Sequence, residues 1–503
     1  MLQFCSPTEA ASWLRAHVSA SLHSDSRLVR PGDGFVAWPG AAVDGRQFVR
    51  AALEQGASAC LVEGDGVEAF GFDDARVATY TRLKAATGEV ASLFFGNPSR
   101  HLAVVAVTGT NGKTSTAWWL AQALSGLEGA AAIPCGLVGT LGVGRPPHLR
   151  TTGMTTPDPV LLQRQFRQFV DEGMQACAIE ASSIGLAERR LDGTRIQVAV
   201  FTNFTHDHLD YHGSMDAYWR AKAELFSWPG LKAAVLNLDD PMAPELVSLL
   251  SRQSVETWTC SMRGEARLRA SDVHYSGSGL TFTVTEGDAS LVLQTRLVGE
   301  FNVANLLGVI GAMRAIGVPL ARAVAACRVL EPVPGRMECL TQPGRPLVAV
   351  DYAHTPDALS QALVSLRPLA SERGGKLWCV FGCGGDRDAA KRPLMGRIAQ
   401  QQADHVVLTS DNPRSEDPMD IIQAIRSGQS PDDRIRAEPD RFLAIDFALT
   451  HAGPFDVVLI AGKGHEDYQE AAGIRQPFSD RDCAMRILRR LNGVIAPVDG
   501  GRA

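Results

Sequence analysis

From Val104 to Leu124 the polar pattern changes period twice. The β-branched run Val104-Val105-Ala106-Val107 ends in the Gly-rich turn Thr108-Gly109-Thr110-Asn111-Gly112, after which Ala117, Leu120, Ala121 and Leu124 recur at helical spacing. This predicts a buried strand, a tight loop and a helix. Upstream, Phe35-Val36-Ala37 and Ala59-Cys60-Leu61-Val62 read as strands, with a helix over Ala51 to Ala57 between them, and Pro39-Gly40 turns the chain towards Val43. Downstream, Gly126 to Pro147 is rich in Gly and Pro and is expected to be a mobile connection. An amphipathic helix starts at Val160, and Ala176-Cys177-Ala178-Ile179-Glu180 and Val198-Ala199-Val200-Phe201-Thr202-Asn203 read as buried strands. Met215 to Phe226 is helical. From about residue 255 to 300 alternation takes over (Glu256 to Thr259, Leu280 to Val284, Leu291 to Leu293), with a turn at Ser276-Gly277-Ser278-Gly279, predicting an antiparallel excursion on the main sheet. A long helix opens at Gly299 to Asn305 and runs to Ile316.

Two turn-rich joints, Gly96-Asn97-Pro98-Ser99 and Pro332-Val333-Pro334-Gly335-Arg336, divide the chain into residues 1–100, 101–335 and 336–503. The last part alternates strands at Val348 to Asp351, Leu377 to Phe381, His405 to Thr409 and Val457 to Ala461 with helices near 356–369, 391–402, 419–426 and 440–449. That order predicts a doubly wound, Rossmann-like domain. The fold class is therefore α/β in three domains. The central one is of P-loop ATPase type, a mostly parallel sheet with an antiparallel extension.

Composition narrows the class. Of 503 residues, 45% are hydrophobic and 21% charged, as in a globular enzyme. The 49 basic and 55 acidic residues give a net charge of -6, with no basic excess to suggest nucleic acid. The ten cysteines form no C-x-x-C pair, and the first residues carry no secretory pattern, so a cytoplasmic protein with free thiols and no membrane span is expected.

The chemistry gathers at predicted strand ends. Gly109-Thr110-Asn111-Gly112-Lys113-Thr114-Ser115 has the strand–loop–helix setting of a phosphate-binding loop, although Val107 stands where the full motif has its first Gly. Backbone N–H groups would cradle phosphates, Lys113 would reach the β- and γ-phosphates, and the Thr114 hydroxyl would hold Mg²⁺. Ligands of open parallel sheets bind beyond the carboxyl ends of the strands, which places Glu180 and Asn203 near this loop. His206-Asp207-His208-Leu209-Asp210-Tyr211-His212 is either a metal site or a polar loop with one or two functional members. Lys222, on a helix, reads by itself as a solvated charge. Ser26 and Arg27 either meet a phosphate or uracil or form a capped surface turn. Asn302 either caps its helix or joins Asn305, three residues on, in reading adenine. Asp351 to His354, Gly382 to Asp388, Asp411 to Arg414 and Gly462 to Glu466 end successive strands, which points to a ligand at that rim.

Together these residues resemble the Mur ligase family, ATP-dependent amino-acid-adding enzymes of cell-wall precursor synthesis. The resemblance rests on the Gly109–Ser115 loop, Thr155-Thr156-Pro157, Glu180-Ala181-Ser182-Ser183, Asn203 through Gly213, Tyr218 through Phe226, Pro334-Gly335-Arg336 and Asp351-Tyr352-Ala353-His354. Asp25-Ser26-Arg27 with Pro31-Gly32-Asp33 is shared by the third- and fourth-step ligases. Gly384-Gly385-Asp386-Arg387, Asp411-Asn412-Pro413-Arg414 and Gly462-Lys463-Gly464-His465-Glu466 resemble the diaminopimelate-adding branch.

The resemblance implies a UDP-sugar domain, an ATP domain and an amino-acid domain, in that order. It implies ATP on Gly109 to Ser115 with Asn302, Asn305 and Arg336. Mg²⁺ would sit on Thr114, Glu180, His208 and Lys222, the lysine modified by CO₂ to N6-carboxylysine; Lys113, Lys222, His208 and Glu180 form the catalytic set. The UDP-N-acetylmuramoyl dipeptide is assigned to Ser26, Thr155, Thr156, Ser182, Glu188 and Arg190, and meso-diaminopimelate to Arg387, Asp411, Asn412, Pro413, Arg414, Gly462 and Glu466. His354 would lie near the phosphates. Two departures stand out: Ile184 replaces a His common after Ser-Ser, and His206 an Arg or other polar residue. The implied reaction activates the D-glutamate side-chain carboxylate as an acyl phosphate, which the amine of diaminopimelate attacks. A cytoplasmic monomer is expected. The alternatives are a related ligase adding L-lysine or another unit, and a non-catalytic nucleotide-binding scaffold; a P-loop GTPase is disfavoured by the lack of Asn-Lys-x-Asp.

Overall fold

The structure, a computed structural model, describes residues 1–40, 43–276 and 279–493. The expected turns after Pro39-Gly40 and at Gly277-Ser278 lie partly outside the described residues. The chain divides into two compact units. The first comprises Met1–Phe204, Tyr211–Leu268 and Gly308–Ala326, the second Thr205–Asp210, Arg269–Leu307 and Cys327–Ala503.

In the first unit the N-terminal segment forms a five-stranded parallel sheet in the order Leu2–Phe4, Val77–Tyr80, Ala59–Glu63, Gly34–Ala37, Leu22–His23. Two of these, Gly34–Ala37 and Ala59–Glu63, are strands that the sequence predicts. A second sheet runs Glu256–Ser261, Ala233–Asn237, Val198–Phe201, Ala103–Thr108, Ala176–Glu180, Cys135–Gly139, Gly142–Arg145, His148–Arg150. Phe166, Phe169, Phe201, Trp219 and Phe226 belong to its buried core. Register places Glu180 beside Val107 and Phe201 beside Thr108, so the carboxyl ends of three adjacent parallel strands meet at the Gly-rich loop.

The segment Gly126 to Pro147 is not merely a mobile connection. Its Cys135–Gly139 is a fully buried strand, parallel to Ala176–Glu180, and turns antiparallel into Gly142–Arg145. Its glycines hid the strand: a Cβ on Gly136 would overlap the Phe169 ring, so the position is small because it is packed. Glu256–Ser261 also departs from expectation, pairing parallel to Ala233–Asn237 rather than opening the antiparallel part. Antiparallel pairing does occur between Gly279–Glu286 and Ala289–Gln294.

In the second unit a six-stranded sheet has the order Glu338–Leu340, Leu347–Asp351, Val457–Ala461, Leu377–Phe381, His405–Leu408, Ile435–Ala437, parallel apart from its first, antiparallel edge strand. Apolar clusters cover both faces, as a doubly wound sheet requires. The four interior strands are those the sequence predicts. No described helix is long and apolar enough to cross a membrane.

Candidate active site

The strand Ala103–Thr108 delivers its chain into a loop that only glycine can open. Gly109 has φ 144°, and a Cβ there would overlap the Thr202 hydroxyl. Asn203, the residue expected beside this loop, holds it from the neighbouring strand end. Its carbonyl accepts Thr110 N–H at 2.8 Å and its Oδ1 accepts Asn111 N–H at 2.8 Å. The helix Lys113–Ser125 follows at once, which aims its N-terminal N–H groups into the loop.

At the first turn of that helix the Thr114 hydroxyl donates to Glu180 Oε2 at 2.9 Å, and Thr140 N–H donates to Glu180 Oε1 at 2.8 Å. Glu180 is 1% exposed. Lys222 is no surface charge: it too is 1% exposed, its Nζ 4.5 Å from the Tyr218 ring centroid. The helix carrying it is capped by the Ser214 hydroxyl, which accepts Ala217 N–H. Lys222 Nζ donates to the Gly109 carbonyl at 2.7 Å, and Lys113 Nζ donates to the same oxygen at 2.8 Å and to Thr110 O at 2.7 Å. Tyr218, which the sequence did not single out, has its hydroxyl 3.1 Å from that of Thr110.

Of the residues assigned to the muramoyl dipeptide, Ser182 and Arg190 are tied to the buried Thr156, while Thr155, Glu188 and Ser26 have other partners. The Thr156 hydroxyl donates to Glu180 O at 2.7 Å and lies 3.0 Å from the Ser182 hydroxyl, and the Thr156 carbonyl accepts Arg190 Nη1 at 3.0 Å. The Thr155 hydroxyl is 3.0 Å from that of Thr140. Glu188 is bound by two partners invisible to sequence reading: Lys84 Nζ donates to Oε2 at 2.6 Å, and the Tyr211 hydroxyl donates to Oε1. The Lys84 hydrogen bond, then that of Tyr211, holds the Glu188 carboxyl below its ordinary value, while burial foremost lifts the Tyr211 phenol to about 12. Where Ile184 replaces the expected His, another imidazole reaches the same turn: His212 Nε2 is 3.0 Å from the Ser183 hydroxyl. Ser26 sits in a 3-10 turn whose Asp25 side chain caps Arg27 N–H and pairs with the exposed Arg27 guanidinium.

In the second unit, Asp411 and Asn412 are buried and Arg414 is half-buried with φ 52°. Arg414 Nη1 donates to Gly385 O at 2.6 Å; its Nε and Nη2 have no partner among the described residues. Asn412 Nδ2 donates to Glu466 Oε2 at 2.8 Å. Lys463, fully buried and not singled out by the sequence, ties the two, donating to Asn412 Oδ1 at 3.1 Å and Glu466 Oε2 at 3.0 Å. Gly462 is required by contact, since a Cβ would overlap Asp411 Oδ2. Arg387 is exposed on the Gly-rich loop. Arg336 lies 4.4 Å over the Tyr352 ring, which also packs on His465. Burial, with Arg336 beside it, pushes the His465 imidazole down to about 4. His354 Nδ1 donates to Tyr352 O at 2.9 Å, and burial also lowers its pKa.

His208, also in the second unit, has φ 52° and lies 3.5 Å from Asp207. Asn302 is not an N-cap: its Nδ2 donates to Val298 O at 2.7 Å and its Oδ1 accepts Asn305 Nδ2 at 2.9 Å, both residues being buried.

Family models match along the chain in the same order as these structures: the Mur ligase family catalytic domain over residues 20–94, the Mur ligase middle domain over 107–313, and the Mur ligase glutamate ligase domain over 335–464. A UDP-N-acetylmuramoyl-L-alanyl-D-glutamate–2,6-diaminopimelate ligase of Acidovorax sp. (strain JS42) is 61% identical over 97% of this chain and 98% of its own. The chain belongs to the Mur ligase family. A solved structure of a ligase with that same name matches this Mur ligase with TM-score 0.67 at 36% identity, covering 94% of this chain and 95% of that one. The crystal structure of a MurF ligase from Thermotoga maritima in complex with ADP shares the fold, with TM-score 0.65 at 19% identity over 95% and 98% of the two chains.

Among the described residues of this Mur ligase no three His, Cys, Asp or Glu side chains are gathered as a metal cluster. Mg²⁺ needs less than that from protein, because it keeps waters and takes oxygen from phosphates. The Thr114 hydroxyl and the Glu180 carboxylate, 2.9 Å apart at the mouth of the loop, are hard oxygen donors that fit it.

Proposed function

We propose that this Mur ligase joins meso-diaminopimelate to UDP-N-acetylmuramoyl-L-alanyl-D-glutamate with ATP hydrolysed to ADP and phosphate, making the UDP-muramoyl tripeptide for peptidoglycan. The observation that carries the amino acid's identity is Arg414. Its half-buried guanidinium, anchored through Nη1 to Gly385 O, keeps Nε and Nη2 open among the described residues, two positions after Asn412 of the Asn412–Lys463–Glu466 cluster. Diaminopimelate differs from lysine by one carboxylate at the far end, which a guanidinium fork binds bidentately. The name of the 61% identical relative supports the same reading.

ATP occupies the Gly109–Ser115 loop, a reading supported by the ADP named in the Thermotoga maritima ligase. Asn302, Asn305 and Arg336 serve its nucleoside side. Thr114 and Glu180, with His208 and a carbamylated Lys222, would hold Mg²⁺, which would supply charge neutralisation at the phosphates. Thr155, Thr156, Ser182, Glu188 and Arg190, with Ser26, hold the UDP-dipeptide so that the glutamate carboxylate faces the γ-phosphoryl group. Lys113 stabilises the charge that develops as that carboxylate attacks phosphorus and ADP leaves. The diaminopimelate amine, oriented by Arg387, Asp411, Asn412, Pro413, Arg414, Gly462 and Glu466, attacks the acyl phosphate. Phosphate departs, the amine loses a proton, and the amide is formed. The working regions are 1–100, 101–335 and 336–503, supported by the three family-model matches. The enzyme acts in the cytoplasm as a monomer, and its product serves cell shape and division.

Phosphate release tests the proposal, with the UDP-dipeptide and each candidate amino acid in turn. One phosphate per tripeptide is expected with meso-diaminopimelate. Equal turnover with L-lysine would overturn the substrate assignment, and ATP binding without phosphate release from any mixture would leave a scaffold.

A further inference from the structure

The strand that carries the Gly-rich loop has a second end. At the amino ends of the central parallel strands, a cleft of about 260 Å³ is lined by Arg100, His101, Leu102, Ala103, Arg195, Gln197 and Lys232. Ala103 begins the strand Ala103–Thr108, Gln197 precedes Val198–Phe201, and Lys232 precedes Ala233–Asn237. At about 3.3 Å per residue, this strand length puts roughly 17 Å between the cleft and the loop at the opposite end.

The cleft is unusual in charge. Arg100, His101, Arg195 and Lys232 are all exposed there, and no acidic residue lines it, although the whole chain carries a net charge of -6. Among the described residues these four side chains make no ion pair with one another's neighbours, unlike Arg27, Arg46, Arg76 and Arg434, each held by an aspartate two residues away. The backbone does not use them either. Gln197 N–H donates to Val104 O at 2.9 Å, and Gln197 O accepts Lys232 N–H at 2.9 Å and Ala233 N–H at 3.2 Å. Arg195 N–H is fixed by the Ser99 hydroxyl at 3.0 Å. The walls are therefore set by strand pairing, while guanidinium, imidazole and ammonium groups from three chain segments converge on one opening with their donors unspent. Two guanidinium groups and a lysine over a small concave site match a compact multivalent oxyanion.

We propose that this cleft is a second anion site, binding a phosphate-class group of pyrophosphate size, separate from the nucleotide loop. The same chemistry is carried by a soluble pyrophosphate and by the headgroup of an anionic phospholipid.

Calorimetric titration of the full chain with inorganic pyrophosphate at low salt tests this, alongside co-sedimentation with phosphatidylglycerol vesicles. Wild-type protein is expected to show two classes of pyrophosphate site. Lys113→Ala removes the class at the loop. Arg100→Gln/Arg195→Gln/Lys232→Gln weakens the other on the order of 100-fold, an effect that shrinks as salt is added. The triple variant changes only exposed, unpaired side chains, so its melting temperature and ligase turnover stay at the wild-type values; Arg195→Gln alone gives a smaller loss in the same direction. Vesicle binding that the triple variant loses, without pyrophosphate binding, assigns the site to a lipid headgroup. Absence of both, or binding of either that the triple variant retains, overturns the proposal.

Discussion

Lys113 and Lys222 donate to one and the same oxygen, the carbonyl of Gly109, at 2.8 Å and 2.7 Å. One lysine comes from the loop itself and the other from a helix more than a hundred residues further on. Two like-charged amines on one carbonyl repel unless one gives up its charge. The proposed conversion of Lys222 to a carbamate would do that, and would add an oxygen donor next to the Gly109 carbonyl.

Lys222→Ala is therefore expected to lower turnover by roughly 100-fold or more, the scale of losing one preorganised electrostatic group. Lys222→Arg does not restore it, because a guanidinium cannot take up CO₂ and does not share the geometry of an amine. Incubation with ¹³C-bicarbonate gives a carbamate resonance in wild type that is missing from Lys222→Ala. An arginine variant at wild-type turnover would remove Lys222 from the mechanism.

Arg414→Ala is expected to lower kcat/KM for meso-diaminopimelate by about 100-fold, corresponding to some 3 kcal/mol for an unpaired buried carboxylate. Binding of ATP, measured by calorimetry, stays unchanged. Wild type should prefer meso-diaminopimelate to L-lysine by on the order of 10⁴, since the site is built on a polar contact that lysine leaves unmade. Steady-state kinetics with both amino acids decides this.

The Lys84–Glu188 pair gives a pH-dependent stability term. The Glu188 carboxyl is depressed in the folded chain, foremost by the Lys84 hydrogen bond. Its contribution is therefore complete above the ordinary glutamate value of 4.5 and is lost as pH falls through the lower folded value. Both side chains are partly exposed, at 40% and 21%, so the coupling is only about 0.5 kcal/mol. A double-mutant cycle of Lys84→Met and Glu188→Gln, followed by urea unfolding, should show this coupling at pH 7 and a declining one as pH is lowered below 4.5. Coupling that does not decline as the carboxylate is protonated would contradict the assignment.

Arg441 and Asp480 form an ion pair in which both side chains are fully buried. Arg441 Nη1 also donates to Ser410 O at 3.1 Å and Nη2 to Ala461 O at 3.0 Å, the residues just before Asp411 and Gly462. Asp480→Asn leaves a buried guanidinium short of its counter-charge and should cost about 3 kcal/mol in urea unfolding. It should also raise KM for diaminopimelate, because the loops that the arginine ties together carry the proposed amino-acid site. An unchanged KM in a destabilised variant would confine the pair to stability.

The sequence by itself determined whatever depends on neighbours along the chain. The strand–loop–helix at Val104 to Leu124, the four strand ends of the last region and the Asp411–Arg414 and Gly462–Glu466 loops are each written within a few residues, so periodicity and turn chemistry expose them. Spacing also carried the family resemblance, and so most of the proposed site. Tertiary structure decided what those residues touch. Lys222 looked like a solvated charge because helical position says nothing about burial against a loop 113 residues away. Lys84, 104 residues from Glu188, carried no local signal at all. Lys463 stood inside a motif, but its burial and its hold on Asn412, 51 residues away, follow only from the pairing of parallel strands. The buried strand Cys135–Gly139 was hidden for the converse reason: its glycines, which read locally as looseness, make room for Phe169 and Glu180 packed against them.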